Sequence, residues 1–378
     1  MRVAILAAFP FHVIPGFEAH RPAGHYATWL PQLAQAFEAQ RDLEVHWIFV
    51  SRHVRVAEPI EWRGQRFHCL HSPQRLRPLR AYAPDCRAIC ARLDELQPDL
   101  VHAWGTEDCY GLAAAKSGRP FLLSMQGLLS HYVRTAQMHW LVRLQAFYER
   151  RVLRRAQWIS VESEWGERIV REWAPAARIW QVEYGVQEPF FKIAWEPDPA
   201  RPAAVFIGTP DQRKGIADAV RAFADPRLSG AELHVVGDAD RPFVEALRRE
   251  ATPNVRWLGR LPPAETAEVL RRAWCLVLPT RADTSPNVVK ESRVIGLPVV
   301  TTPHGGQSAY IKDGVNGWLV EPGDIAALAD RLARTLASVG TARELGARLH
   351  AEQREWFRPE HTAEKFLAIY RELASTGA

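Results

Sequence analysis

Two carboxylates, Asp283 and Glu291, stand with seven residues between them inside the stretch Trp274–Gly306. A carboxylate couple invites a reading as general acid and general base. The surroundings point toward ligand binding as well. Trp274–Leu278 is a short apolar run closed by Pro279, suited to a strand buried on both faces. A polar loop, Thr280–Thr284, then leads to Ser285, a residue able to cap a helix, and to Pro286 at its expected first position. A helix start here, spanning Ser285, Pro286, Asn287 and Val288, offers free backbone N–H groups and the positive end of the helix dipole to an anion. Asp283 sits just before that terminus, with Glu291 about a turn and a half inside the helix. In isolation, a solvated loop Asp and an exposed helical Glu beside Lys290 are the commoner explanation of such a pair.

A second chemical loop is Gly208-Thr-Pro-Asp-Gln-Arg-Lys-Gly215. Its glycines allow close approach, and Arg213 and Lys214 supply cations for a diphosphate. No Ser or Thr follows the lysine, so it is not a Walker loop. Gly259-Arg260-Leu261-Pro-Pro263 is a strand-end turn whose backbone could hold a flat heterocycle. Three further candidates lie in the first half. Gly24, in the loop after the first strand, lets a phosphate approach the backbone. His102 ends a strand, where a satisfied core histidine is the commoner outcome. Gln126 is a polar amide at a third strand end.

These residues need a scaffold, and the pattern supplies two. Strands at Val3–Ala7, Glu44–Val50, Leu100–Ala103, Phe121–Ser124, Trp158–Val161 and Ile179–Val182 alternate with helical segments, including Tyr26–Ala39, Asp85–Leu96 and Trp140–Arg155. The alternation restarts after Phe190–Pro202, a segment with two acids and little periodicity. Strands then fall at Ala203–Ile207, Glu232–Val236, Val255–Leu258, Trp274–Leu278, Pro298–Thr301 and Gly317–Val320. Alternating strands and helices predict parallel sheets covered on both faces, which bind ligands where the strands end. The expected domains are 1–190, with 356–378 packing back on it, and 191–355.

Composition agrees. At 378 residues, two domains are the prior. The net charge of +5 suits phosphate-bearing ligands or an anionic membrane surface, and no basic tail or RNA-binding aromatic signature appears. The five cysteines are scattered and form no CxxC pair, so reduced thiols and no zinc site are expected. The run VAILAAF is too short for a signal peptide and is broken by Pro10, so a buried first strand and a cytoplasmic protein are expected. The Trp140 helix carries Leu141, Leu144, Phe147 and Tyr148 on one stripe. With Arg75–Arg80 and Arg150–Arg155 it reads as a core-facing helix with a basic solvated face, or as a peripheral docking face for an anionic membrane.

Taken in order, Gly-x5-Lys-Gly, Val-Val-Gly237, Gly259-Arg-Leu-Pro, Asp283-x7-Glu291, Gly-Leu-Pro-Val-Val and Gly305-Gly306 resemble the nucleotide-sugar domain of GT-B glycosyltransferases, specifically the retaining family 4, glycosyl transferases group 1. Pro98–His102, Val182–Val186 and the C-terminal segment Trp356–Leu373 resemble landmarks of the same family. The resemblance implies a GT-B α/β fold of two Rossmann-like domains facing a central cleft, with the last helix crossing back to the first domain. It implies a retaining transfer of sugar from a nucleotide-sugar, a UDP- or GDP-sugar being expected, to a hydroxyl of a glycan or lipid-linked acceptor in polysaccharide or lipopolysaccharide assembly. No cofactor, metal or nucleic acid is implied. A lipid-linked acceptor would be met on the inner face of the membrane.

By the same resemblance Glu291 would bind the ribose hydroxyls and Asp283, where the family usually has Glu, the donor sugar. Lys214 would meet the diphosphate. Thr209 replaces the usual Arg, a loss that Arg213 could offset. Gly208, Gly259, Arg260 and Leu261 belong to the donor site, and His102 is counted with them. Gln126 replaces a frequent His and cannot carry a proton. Departure of the diphosphate would then be stabilised by Arg213, Lys214 and Gly24. Two other readings stay open: a non-catalytic sugar-nucleotide-binding protein, and a GT-B epimerase or phosphorylase.

Overall fold

The computed structural model describes residues 1–18, 27, 29–52, 54, 56, 58–72, 76–238 and 242–375. The chain divides into two compact units, one formed by Met1–Gly185 with Pro359–Ala378, the other by Val186–Arg358.

In chain order the first unit holds β1 (Arg2–Leu6), α1 (Leu30–Phe37), β2 (Glu44–Ser51), β3 (Ile60–Trp62), β4 (Gln65–His71), α2 (Ala83–Leu96), β5 (Leu100–Trp104) and α3 (Cys109–Lys116). It continues with β6 (Phe121–Ser124), α4 (Leu129–Thr135), α5 (Trp140–Leu153), β7 (Trp158–Val161), α6 (Glu164–Arg171) and β8 (Arg178–Gln181). Its eight strands lie in the order β3-β4-β2-β1-β5-β6-β7-β8. All neighbours are parallel except the β3–β4 hairpin.

That hairpin falls in a region where the sequence pattern predicts no strand. Arg63 and Gly64 both take left-handed φ, 52° and 67°, which closes a tight turn between Trp62 and Gln65. Phe67 and Cys69 then face the core while Arg66 stays exposed. Helix α6 is built as its residues suggest: the Ser163 side chain accepts from the Gly166 amide, with Glu164 and Glu167 in the first turn.

The second unit holds α7 (Glu188–Phe191), β9 (Ala203–Ile207), α8 (Ile216–Ala222), β10 (Glu232–Val236), α9 (Pro242–Glu250), β11 (Val255–Gly259), α10 (Pro263–Arg272) and β12 (Cys275–Leu278). After these come α11 (Asn287–Ile295), β13 (Val299–Thr301), β14 (Gly317–Leu319), α12 (Ile325–Leu336), α13 (Val339–Ala347) and α14 (His350–Trp356). Its six strands are parallel throughout, ordered β11-β10-β9-β12-β13-β14. β12 is fully buried, which is why Cys275–Leu278 reads as an unbroken apolar run.

The segment expected as one helix from Trp356 is broken. α14 ends at Trp356, and α15 (Pro359–Ser375) starts afresh at a proline suited to a first turn. α15 completes the core of the first unit with Phe366, Leu367, Tyr370 and Leu373. Each buried ring there contributes roughly 2 kcal/mol of hydrophobic stabilisation.

The α5 stripe is also corrected. Ala146, Tyr148, Glu149, Val152 and Leu153 are its buried residues, while Phe147 is 45% and Trp140 54% exposed. Glu149 is tolerated inside because it accepts from the Leu129 and Ser130 amides (3.1 and 2.6 Å) and the Thr106 hydroxyl (2.6 Å), capping α4. Arg77 is no surface cation either. It is buried, bonded to Asp85 (2.6 Å) and paired with Asp108 (2.9 Å).

Candidate active site

In an open parallel sheet the ligand crevice lies beyond the strand ends where the order reverses. In the second unit that point falls between β9 and β12, since β10 flanks β9 on one side and β12 on the other. The loop after β9 carries Arg213 and Lys214, and the loop after β12 carries Asp283. The structure brings these three together. Lys214 Nζ forms an ion pair with Asp283 Oδ2, and Arg213 Nη1 lies 3.7 Å from the same oxygen. Each of the three side chains is less than one-fifth exposed.

The two loops are laced together. Arg213 Nη1 donates to the Ala282 carbonyl (2.8 Å), and the Arg213 carbonyl accepts from the Arg281 amide (2.8 Å) and the Thr280 hydroxyl (3.0 Å). Asp211 accepts from the Lys214 amide (2.8 Å). On the other side the Asp283 carbonyl accepts from the Gly306 amide (2.9 Å), where Asp283 and Gly305 form an isolated parallel bridge. Glycine is required where strand ends crowd. A Cβ on Gly237, at φ 158°, would collide with the Gly208 carbonyl, and one on Gly215, at φ 76°, with that of Pro279.

α11 starts one residue later than its sequence predicts. Pro286 occupies the N-cap, not the first helical position, and Asn287 opens the helix. Ser285 does not cap it: its hydroxyl is hydrogen-bonded to that of Tyr310 (2.9 Å), a partner 25 residues away. Pro286 has no N–H to offer a ligand. The anion-facing amides of this terminus reduce to those at Asn287 and Val288, which precede the first intrahelical bonds.

On α11, Glu291 is half-buried and its carboxylate makes no hydrogen bond or ion pair among the described residues, while its neighbour Lys290 is fully buried. Burial pushes the Glu291 carboxyl up to about 7, against a smaller opposing effect of Lys290. The spacing of Asp283 and Glu291 thus gives two unlike acids, one ion-paired and one with no ion pair among the described residues. Nearby, Gly259 takes φ 70°, Arg260 is exposed and donates to Asp238 (2.9 Å), and Leu261 is half-buried against the core.

Of the candidates in the first unit, Gly24 lies outside the described residues. His102 is corrected. It is fully buried, with Nδ1 2.6 Å from the Tyr370 hydroxyl and Nε2 2.6 Å from that of Ser124, so neither ring nitrogen is left for a ligand. Burial pushes it well below the usual histidine range, and it is a core residue. Gln126 does stand at a strand end, half-buried beside Gly105.

Next to it stands a group not anticipated from sequence. Glu107, after β5, accepts from the amides of Thr106 (2.8 Å) and Gly127 (2.5 Å), and burial pushes its carboxyl up to about 7. A Cβ on Gly105 or Gly127 would strike its oxygens, so the two glycines make its room. Those flanking glycines were the available signal. Among the described residues no group of three His, Cys, Asp or Glu side chains is placed to hold a metal ion.

Two family profiles match the chain: glycosyl transferases group 1 over residues 201–338, and a glycosyl transferase 4-like domain over residues 24–185. The chain belongs to the group 1 glycosyltransferase family.

Curated relatives of this family member include a D-inositol 3-phosphate glycosyltransferase of Segniliparus rotundus, 29% identical over 48% of this chain and 42% of its own. Another is the amylovoran biosynthesis glycosyltransferase AmsK of Erwinia amylovora, 25% identical over 56% and 55%. The chain spans about half the length of the curated relatives it matches. Among solved structures, sucrose-phosphate synthase from Thermosynechococcus elongatus superposes with a TM-score of 0.79 at 20% identity, covering all of both chains. Anabaena HepE, solved with UDP and glucose, gives 0.71 at 14% identity over 98% of this chain and all of its own. At these identities the likeness establishes the fold, and that fold is GT-B.

Proposed function

We propose that this group 1 family member is a retaining glycosyltransferase that moves a sugar from a nucleoside diphosphate donor to a hydroxyl of a glycan or lipid-linked acceptor. The observation that carries the proposal is the cation pair Arg213 and Lys214, held with Asp283 at the switch point of the second sheet and next to the start of α11. Arg213 and Lys214 take the diphosphate and stabilise the charge that grows on it as the glycosidic bond breaks. The Asn287 and Val288 amides add to that field. Asp283 receives hydroxyls of the donor sugar and Glu291 those of the ribose. This chemistry draws its positive charge from side chains, so we propose no resident metal. AmsK is named for amylovoran biosynthesis, and another fold relative is a lipopolysaccharide outer core galactosyltransferase, WaaB. These names favour surface-glycan assembly as the setting.

Incubation with UDP-, GDP- and ADP-sugars should reveal slow donor hydrolysis with at least one of them, and none with any would sink the proposal. The same assay tests Glu291. Its carboxyl, raised to about 7, must be ionised to accept two ribose hydroxyls. Donor affinity should therefore rise as pH passes from 6 to 8, by up to about tenfold. In Glu291→Gln that rise should disappear.

A membrane setting is supported by the outer face of α5. Trp140 and Phe147 are exposed there, as are Leu76 and Leu79 on the adjoining turn Arg77–Arg80, whose Pro78 carbonyl accepts from the Tyr148 hydroxyl. Beside them a cavity of about 390 Å³ is lined by Lys116, Arg151, Arg154 and Arg155. Apolar side chains beside clustered cations suit an anionic bilayer surface. No described helix is long and apolar enough to cross a membrane. The protein should sediment with phosphatidylglycerol vesicles but not with phosphatidylcholine vesicles, and Arg151→Glu with Arg154→Glu should abolish it. Equal binding to both vesicles would remove the electrostatic argument.

A further inference from the structure

We infer that Asp283 makes the donor site discriminate between intact nucleotide-sugar and spent nucleoside diphosphate, by competing with the diphosphate for Lys214 and Arg213. The inference rests on the donor-binding reading above. Its basis is geometric. One carboxylate oxygen, Asp283 Oδ2, serves both cations of the site. The carboxylate cannot drift away, because its backbone is tied to Gly306 and bridged to Gly305. Arg213 cannot follow a departing ligand either, because its backbone and guanidinium are bonded to Thr280, Arg281 and Ala282. The lysine ammonium, on its flexible stem, is the member free to exchange partners.

An intact donor brings two kinds of group to this triad: phosphate oxygens for the cations and sugar hydroxyls for the carboxylate. Each charge in the triad is then answered, and Lys214 turns to phosphate while hydroxyls replace it on Asp283. After transfer the sugar has left. The nucleoside diphosphate carries one more negative charge and no hydroxyl that could satisfy Asp283. The carboxylate is then a buried anion facing a phosphate group, and it recovers its ion pair by displacing that group from Lys214. The short Asp at this position is therefore a positioning residue for Lys214 as well as a sugar contact, and it favours product release.

Calorimetric titration tests this with UDP, GDP, ADP, their glucose conjugates and inorganic pyrophosphate, on wild type, Asp283→Asn and Asp283→Ser. Removing the charge should tighten the free nucleoside diphosphate and pyrophosphate by about tenfold or more, while the glucose conjugate gains less or loses affinity. Two neutral replacements of different size keep the comparison available if one of them does not fold. A product-to-donor affinity ratio unchanged from wild type in the folded variant would overturn the inference and leave the donor reading intact. Wild type that binds none of the nucleotides would overturn the donor reading, and this inference with it.

Discussion

Lys214→Met is expected to lower kcat/KM by about 10²–10³-fold, the loss found when one positioned donor to developing negative charge is removed. The side chain is 15% exposed, and among the described residues its ion-pair partner is Asp283. Methionine keeps the unbranched stem and so the packing, and removes only the charge. The fall should appear mainly in kcat, because charge accumulates on the diphosphate as the bond breaks and less is present in the ground state. Arg213→Met should cost less at the transition state, since Nη1 is committed to the Ala282 carbonyl and lies farther from Asp283. Initial rates at saturating donor, compared with rates at low donor, separate the two effects. An equal rise in KM with kcat unchanged would reduce Lys214 to a ground-state contact.

Arg293→Met is expected to destabilise the second unit by about 3 kcal/mol or more, the scale of a broken buried polar network. Arg293 is fully buried on α11, two residues beyond Glu291. Its guanidinium donates to Gln353 Oε1 (2.6 Å) and to the carbonyls of Leu297 (3.1 Å), Gly346 (3.1 Å) and Arg348 (2.7 Å). These acceptors belong to the turn after α11 and to the segment around α13 and α14. Burial pushes the guanidinium down to about 10, still far above neutrality, so it stays charged. Methionine would leave at least three carbonyls without donors. Urea unfolding should show a lower midpoint with an unchanged slope. A midpoint shift worth under about 0.5 kcal/mol would show that water or neighbouring groups replace the network.

Much of the second unit could be read from residues because its inner strands β9, β12 and β13 are covered on both faces. Ala203–Ile207 and Cys275–Leu278 are continuous apolar runs, and the cations and acids stand in the loops after them. What escaped depends on partners distant in the chain. The β3–β4 hairpin is an edge element mixing Arg and His with Phe and Cys, so no run of apolar residues marks it. Ser285 has the type of a cap, yet Tyr310 takes its hydroxyl. Lys290, Arg293 and Glu149 look like solvated charges on amphipathic helices, and each is buried. Polar pairing across tertiary distance overrides pattern in all these cases. Glu107 is a lone acid in a loop until Gly127 from the next strand end meets it.

The split composition of the first unit carries a consequence for how the polypeptide matures. Its core is completed by Phe366 and Tyr370 of α15, which cover the buried His102, yet α15 is translated after every residue of the second unit. The second unit is one uninterrupted stretch and has all its strands in hand first. Birth order and completion order are therefore reversed. The sheet synthesised first waits at the ribosome with an apolar face uncovered, and contacts this distant in sequence form late. A nascent chain arrested at Arg358 would present that face to chaperones while the cluster of Arg213, Lys214 and Asp283 was already assembled.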